Sequence, residues 1–319
     1  MKNVFFYIMT VLIWGSTWIG IKFQLGTVAP MVSVGYRFAL AALLLLLWCR
    51  LRNLPMRFTL KDHLFIALQG TFLFCINYLL FYLAELHLTS GLAAVIFSTI
   101  LLMNMINGRI FLKSTLDIRV IVGGLLGLPG IILVFMPEVT SFSHDSNNMR
   151  GILLCVLATY FASLGNILSA RNQKKHLPVV QTNAFGMAYG AIIMLSMAYF
   201  SGKQFQVDLS FDYLGSLIYL SIFGSIIAFG CYLALVGNIG ADRAAYATLL
   251  FPLVALVIST IWEGYHWTGS ALLGVGLILC GNLLMIQRKK NRKLTNKKNY
   301  LIWPWQKKSC HHQTVKSPN

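Results

Sequence analysis

The segment from Ala244 to Leu284 constrains the fold more than any other, because it consists of two long apolar stretches joined by a short turn. Within it only Glu263 and His266, both at the turn, are ionisable near neutral pH. Each half is long enough and apolar enough to cross a bilayer as an α-helix. The segment therefore indicates an integral membrane protein rather than a soluble core.

The rest of the chain repeats this apolar pattern. Of its 319 residues, 57% are hydrophobic and 11% are charged, and the mean hydropathy is +0.70. These values are typical of polytopic membrane proteins and lie far outside the soluble range. We therefore expect an all-α polytopic membrane protein with ten transmembrane helices. The predicted spans lie near residues 4–22, 31–50, 64–84, 88–108, 118–136, 151–170, 180–200, 214–236, 243–262 and 267–287.

The positive charge of the chain follows its predicted topology. The net charge is +17, and with the N-terminus in the cytoplasm 22 of the 26 Lys and Arg residues fall on the cytoplasmic side. Three fall outside, and one, Arg37, lies within a span. By the positive-inside rule, both termini are expected in the cytoplasm. Because the excess positive charge lies mainly on the cytoplasmic side, it is explained by topology, and we expect no nucleic-acid partner.

The spans divide into two sets of five. The polar loop at 137–150 is the one long connection expected outside, and five spans precede it and five follow it. An odd number of spans puts the two halves in opposite orientations, as in the inverted repeats of many secondary transporters. The expected segments are a first five-helix repeat at 1–136, an outer linker at 137–150, a second repeat at 151–287 and a basic cytoplasmic tail at 288–319.

A weak internal similarity supports the two-repeat interpretation. At an offset of 151 positions, small residues of the first half align with small residues of the second. The first half has leucine at the positions that align with Pro252 and Glu263, so the similarity is incomplete. The aligned pairs are Ala93 with Ala244, Ala94 with Ala245, Gly123 with Gly274 and Gly130 with Gly281.

Three stretches carry a resemblance to a known family. The opening helix contains WGSTWIGIK, Pro30 precedes Arg37 and Phe38, and the closing helix pair carries Pro252, Glu263 and the glycine-patterned end LILCGNLL. Together they resemble the EamA family of drug/metabolite transporters, over nearly the whole chain before the tail. The resemblance implies a permease with a central cavity between two inverted halves that moves small metabolites such as amino acids.

Pro252 lies about nine residues into the predicted ninth helix, near the middle of the bilayer. Its ring displaces the carbonyl of Thr248 and removes one backbone hydrogen bond. Irregular backbone survives at this depth only where it is buried in protein or lines a cavity. We therefore expect a helix bend at Pro252 that turns the Thr248 carbonyl toward the cavity.

Arg37 is the one charged side chain placed clearly inside a predicted span. An arginine at the centre of a membrane helix costs roughly 2.5–3.5 kcal/mol on insertion scales, so it must be paired or hydrated. One interpretation is that Arg37 contacts an anionic group of the substrate. Another is a structural ion pair with Glu85 or Glu263, which lie near the outer ends of their helices. A third is that the side chain snorkels to water at the outer surface.

Other polar and aromatic groups inside the spans are candidates for the wall of the cavity. In hydrocarbon such groups need hydrogen-bond partners or a hydrated cavity. Trp14, for example, lies deeper than an interfacial anchor, and its indole N–H needs a partner. The full candidate set is Trp14, Thr17, Arg37, Asn77, Tyr78, Tyr82, Ser98, Tyr160, Asn166, Tyr232 and Thr248.

The sequence lacks the common catalytic motifs. It contains no HExxH, no GxSxG and no phosphate-binding glycine loop, so we expect neither an enzyme nor a nucleotide-driven pump. Cys310, His311 and His312 are adjacent rather than spaced as ligands, so we expect no metal and no cofactor. No carboxylate is placed at mid-depth, where proton-driven antiporters usually carry one.

The expected function is that of a secondary transporter, a permease of the bacterial cytoplasmic (inner) membrane that exports small metabolites such as amino acids. An exporter of amphiphilic drugs is the main alternative, since an aromatic, carboxylate-poor cavity would suit such compounds. A non-transporting scaffold or an intramembrane enzyme would be a different class.

The expected partners are a small-molecule substrate and the lipid bilayer. The glycine spacings that permit a homodimer contact are those of Gly123 with Gly127 and Gly186 with Gly190.

Overall fold

A computed structural model of the chain describes residues 2–88, 93, 96–114, 118–134, 136, 146–251, 253–254, 257–258 and 267–286. This described part is built from helices and contains no β-strand. The helices are α1 (Lys2–Lys22), α2 (Pro30–Leu51), α3 (Leu60–Ala84), α4 (Ile100–Leu112), α5 (Ile118–Val134), α6 (Ser146–Lys174), α7 (Val179–Phe200), α8 (Phe211–Ile239), α9 (Ala241–Ala244, followed by the 3-10 turn Ala245–Leu249) and α10 (Gly269–Ile286).

Six helices in the described part are long and apolar enough to cross a membrane. They are α1, α2, α3, α7 and α8, together with Met149–Lys174 of α6. The helices α4, α5 and α10 are apolar but have shorter apolar stretches. The described part of the chain is therefore all-helical and has the long apolar helices that the hydropathy of the sequence predicts.

The predicted fourth span, 88–108, is interrupted by a break. Ala93, Ile96 and Phe97 are helical, Ser98 and Thr99 form a turn, and helix α4 then runs from Ile100 to Leu112. Just before its start, the Thr99 hydroxyl donates to the carbonyl oxygen of Ile96 at 2.6 Å. Such local side-chain bonds compete with a continuous backbone ladder. Periodicity alone does not reveal that break.

The predicted ninth span, 243–262, begins as one α-helical turn and then tightens into the 3-10 turn. Pro252, where a bend was predicted, and Glu263 lie outside the described residues. The tail at 288–319 and most of the linker lie outside them as well. Helix α6 already begins at Ser146, so the last residues of the predicted linker are helical.

Helices α3 and α8 are built alike, at positions 151 residues apart. Each begins at a hydroxyl cap: Thr59 Oγ1 accepts from the Asp62 amide at 3.2 Å, and Ser210 Oγ accepts from the Tyr213 amide at 3.3 Å. Each then contains a π-helical segment, which has wider backbone hydrogen-bonded rings than an α-helix and often marks a functional site. The two π segments are Thr71–Ile76 and Leu220–Ile227.

Two pairs of helices pack against each other, and in each pair the helices lie about 151 residues apart in the sequence. Helix α2 packs along α7, and α5 packs along α10. At the α5–α10 contact, Gly281 lies against Gly123, and a Cβ atom on Gly281 would stand 2.6 Å from the Gly123 carbonyl oxygen. The reciprocal contact places Gly130 against Gly274, where a Cβ on Gly130 would stand 2.8 Å from the Gly274 carbonyl oxygen. Small residues let the backbones approach closely where no hydrophobic force drives helix association.

The glycines whose spacing permits a homodimer contact pack against other residues of the same chain. A Cβ on Gly127 would meet Leu249 Cδ1 at 2.6 Å, and a Cβ on Gly190 would meet the Gly70 carbonyl oxygen at 3.0 Å. Gly186 likewise faces Phe74. The GxxxG spacing in α5 and the glycine pair in α7 therefore serve contacts between helices of one chain.

We predict that Gly281→Ala destabilises the protein, because its methyl group would overlap the backbone of α5. Overpacking of this kind costs about 1–3 kcal/mol. The matched control is Gly276→Ala on the same helix, where a Cβ meets nothing within 4 Å. Thermal unfolding in detergent should show a lower Tm for Gly281→Ala and an unchanged or slightly higher Tm for Gly276→Ala. Equal Tm values for the two variants would contradict the observed close contact.

Candidate substrate cavity

A cavity with about 660 Å³ of empty space, including its mouth, lies where α1, α2, α3, α4, α6, α8 and α9 meet. Much of its wall is aromatic or aliphatic. Eight of the eleven side chains predicted from the sequence line it: Trp14, Thr17, Arg37, Asn77, Tyr78, Asn166, Tyr232 and Thr248.

Three predicted side chains lie elsewhere. Tyr82 is buried beside the cavity, and its hydroxyl donates to Gln24 Oε1 at 2.7 Å. Ser98 is buried at the break before α4 and does not line the cavity. Tyr160 is 42% exposed on α6 and does not line it either. A polar residue in a membrane helix can face several environments, and the sequence pattern does not distinguish them.

The π segment of α8 positions both Trp14 and Arg37. Trp14 Nε1 donates to the carbonyl oxygen of Gly224 at 3.0 Å, which supplies the partner that a deep tryptophan needs. Arg37 Nε donates to Ser225 Oγ at 3.0 Å. The hydroxyl of Ser221 in turn donates to the carbonyl oxygen of Arg37 at 3.1 Å. This irregular stretch of α8 thus holds the two helices that carry these side chains.

Arg37 is almost completely buried, with 1% of its surface exposed. Its guanidinium carbon lies 4.7 Å from the centre of the Tyr78 ring and 5.4 Å from that of Phe38. These are cation–π distances, which stabilise a desolvated cation. The Nη1 atom nevertheless has no hydrogen-bond partner in the described part of the chain. Arg37 therefore presents a positive charge and an unused donor in the wall of the cavity.

The ion pair considered from the sequence does not form between Arg37 and Glu85. The Oε1 atom of Glu85 is buried and also lacks a hydrogen-bond partner among the described residues. Glu263, the other candidate partner, lies outside the described residues. Of the interpretations open from the sequence, snorkelling to the surface is disfavoured by the burial of the side chain. Contact with a substrate anion and pairing with Glu263 both stay predictions.

The wall also holds two unused acceptors. Asn77 Oδ1 and Asn166 Oδ1 are buried and have no hydrogen-bond partner among the described residues. The Asn166 amide group donates to the Tyr232 hydroxyl at 3.1 Å. Buried polar atoms are normally satisfied, and each exception needs an explanation such as a ligand or water. The cavity therefore offers a ligand one charged donor and two neutral acceptors.

Aromatic rings form the apolar part of the wall. The Trp14 ring lies 4.8 Å from the Phe229 ring, 4.9 Å from that of Tyr232 and 5.3 Å from that of Phe251, centre to centre. Sequence reasoning did not select Phe229 or Phe251. The internal similarity at an offset of 151 residues is the sequence signal that could have identified them. Four pairs of lining residues are related by it: Tyr78 with Phe229, Phe81 with Tyr232, Phe97 with Thr248 and Ile100 with Phe251.

Similarity to known proteins defines the class of this protein. A model of the EamA-like transporter family matches residues 1–136 and 149–287, so the chain belongs to that family and is a membrane transporter. The family membership predicted from the sequence is confirmed. The fold agrees with a solved crystal structure that covers 89% of this chain and 96% of its own, with a TM-score of 0.73 at 14% identity.

Several relatives cover nearly the whole chain. Protein PagO of Salmonella typhimurium is 27% identical over 286 residues, which are 88% of this chain and 92% of PagO. The uncharacterized inner membrane transporter YedA of Escherichia coli K12 is 28% identical and covers 86% of this chain and 87% of its own. A probable amino-acid metabolite efflux pump of Salmonella typhimurium is 25% identical, covering 88% of this chain and 93% of its own.

We predict that Gly224→Ala impairs transport without unfolding the protein. A Cβ atom there would stand 3.0 Å from both Arg37 Nη2 and Thr17 Cγ2, so the guanidinium must move. The control is Gly230→Ala in the same helix, where a Cβ meets nothing within 4 Å. Transport by Gly224→Ala should fall about tenfold or more, the usual effect of a misplaced binding group. Uptake into proteoliposomes measures both variants, and similar rates would show that the position of Arg37 is unimportant.

Proposed function

We propose that this protein is a secondary transporter that exports small metabolites with an anionic group, such as amino acids or related compounds, across the cytoplasmic membrane. The observation that carries the proposal is Arg37, a buried cation with an unused donor in the wall of the cavity. Isolated charges are costly at such sites and are normally retained for a ligand or pathway. The relative named a probable amino-acid metabolite efflux pump supports the substrate class and the direction.

The architecture that we propose for this activity is ten transmembrane helices in two inverted five-helix repeats. The two separate family matches support it, as do the reciprocal glycine contacts between α5 and α10. Helix α3 packs against α6 and α7, while its counterpart α8 packs against their counterparts α1 and α2. The paired lining residues support a cavity between the two halves. In such folds, one half rocks against the other and exposes the site to alternate sides.

We further propose that both termini lie in the cytoplasm of a bacterial cell. The support is the distribution of Lys and Arg, 22 inside against three outside. A relative described as an inner membrane transporter agrees with the location.

A reporter enzyme fused after Asn319 tests the topology, because the positive-inside rule places the fusion in the cytoplasm. A reporter that is active only in the cytoplasm should be active, and one that requires the periplasm should be silent. The reverse pattern would exclude the proposed orientation.

An exporter of amphiphilic drugs is the second candidate, favoured by the aromatic wall around Trp14. Most such drugs are cationic, and the buried charge of Arg37 would repel them. An enzyme is less well supported, since the lining in the described part holds neither a carboxylate nor a histidine. No group of three or more His, Cys, Asp or Glu side chains there is placed to hold a metal.

Counterflow in proteoliposomes tests the proposed function. Vesicles loaded with unlabelled solute should take up the same labelled solute, measured with a mixture of the standard L-amino acids and, separately, with cationic dyes. The expected result is counterflow of the amino acids and none of the dyes. Counterflow of the dyes alone would support the second candidate, and absence of any counterflow would exclude both.

Arg37 variants test its contact with the substrate. Arg37→Lys keeps the charge but loses the planar guanidinium, and we expect a KM for amino-acid counterflow about tenfold higher with protein levels near normal. Arg37→Ala should be inactive. The control is Arg57→Lys, an exposed residue before α3, which should match the parent. Parental transport rates in Arg37→Ala would contradict the proposed contact.

A further inference from the structure

Glu85, the first residue after the span α3, is half-buried. One of its two carboxyl oxygens, Oε1, is buried and has no hydrogen-bond partner among the described residues. A buried carboxylate without a partner is costly, and such a group takes up a proton instead. Burial raises the pKa of Glu85 to about 8, while the positive charges of Lys22 and Arg37 act in the opposite direction.

The groups around Glu85 come from several helices. Lys22 ends α1, Arg37 comes from α2, and Cys155 comes from α6, each close enough for an electrostatic interaction with the carboxyl group. On its own helix Tyr82 interacts with it in the same way. The Tyr82 hydroxyl is bound to Gln24, whose Nε2 atom has no partner among the described residues. Glu85 thus belongs to a polar cluster that includes Arg37 of the cavity wall.

We propose that Glu85 is a proton site coupled to the anion site at Arg37, so that a proton and the substrate cross the membrane together. Export by this route is driven by an outward substrate gradient that exceeds the opposing proton gradient. This inference rests on the proposed function, because it requires an anionic group bound at Arg37. It also differs from the expectation that a proton-carrying carboxylate must lie at mid-depth. Here the carboxyl group lies at the end of a span. Neighbouring helices, rather than the core of the bilayer, shield it from water.

The coupling follows from the electrostatics of the two groups. The charge of Arg37 stabilises the Glu85 carboxylate through space, without a direct contact. A substrate anion at Arg37 compensates that charge, so Glu85 then binds a proton more readily. Because binding linkage is reciprocal, a proton on Glu85 strengthens anion binding by the same factor. The O–H bond forms with a proton from the solution on one side and breaks to release that proton on the other.

The sign of the pH dependence is therefore set. Protonation favours substrate binding, and the proton is lost as the pH rises through the pKa of Glu85. In the parent protein the KM for counterflow should rise at least about fivefold between about pH 6.5 and pH 9, a typical size for coupling between sites. In Glu85→Gln, which cannot titrate at this position, the KM should be nearly constant over the same range.

Proton movement is measured in proteoliposomes with a trapped pH dye, with the same mixture of L-amino acids as probe. An inward amino-acid gradient should acidify the lumen with the parent protein. Glu85→Gln should abolish the acidification and keep counterflow. The matched control is Asp212→Asn, an exposed carboxylate in the first turn of α8, which should behave like the parent. Acidification by Glu85→Gln at the parental rate would overturn the proposal.

A second measurement does not depend on the stability of the variant. Adding the amino-acid mixture to the purified parent protein in weakly buffered detergent near pH 8 should remove protons from the solution. Counterflow without proton uptake in either experiment would overturn the coupling and leave the proposed transporter function intact. Absence of counterflow in the parent protein would instead refute the transporter function, and the coupling with it.

Discussion

A lipid bilayer offers no hydrogen-bond partner to a peptide group, so a spanning chain must satisfy its backbone within its own structure. Regular α-helices do this locally. Helices α3 and α8 depart from it in their π segments. In α8 the Trp14 indole N–H donates to the backbone carbonyl of Gly224, and Arg37 donates to the side-chain hydroxyl of Ser225. The cavity forms beside these departures.

The remaining helices hold this arrangement together by close approach. Lipid tails are as apolar as leucine, so burial alone does not draw membrane helices together, and contact area between backbones must do so. The α5–α10 pair achieves this with Gly123, Gly130, Gly274 and Gly281, each set against a glycine of the other helix. The contact is reciprocal, because Gly123 lies against Gly281 and Gly130 lies against Gly274.

The cavity itself is not symmetric, because Arg37 has no charged counterpart 151 residues later, where the sequence has Ala188. Ser225 and the Tyr78 ring hold the guanidinium in place without neutralising it. Glu85 brings a carboxyl group nearby but not in contact. A direct ion pair would leave neither group able to bind a ligand. Because the two are held apart, each is available for the role that we propose, anion binding by Arg37 and proton binding by Glu85.

The sequence by itself determined the class of molecule and the extent of most helices, and it singled out Arg37 as a charge inside a span. These depend on local properties: the length of apolar runs and the cost of a charge among them. Only the tertiary structure decided that Tyr160 is exposed while Asn166 lines the cavity, that Phe229 belongs to its wall, and that Glu85 does not contact Arg37. Those outcomes depend on how each helix is rotated against partners distant in the chain, and hydropathy does not encode that rotation.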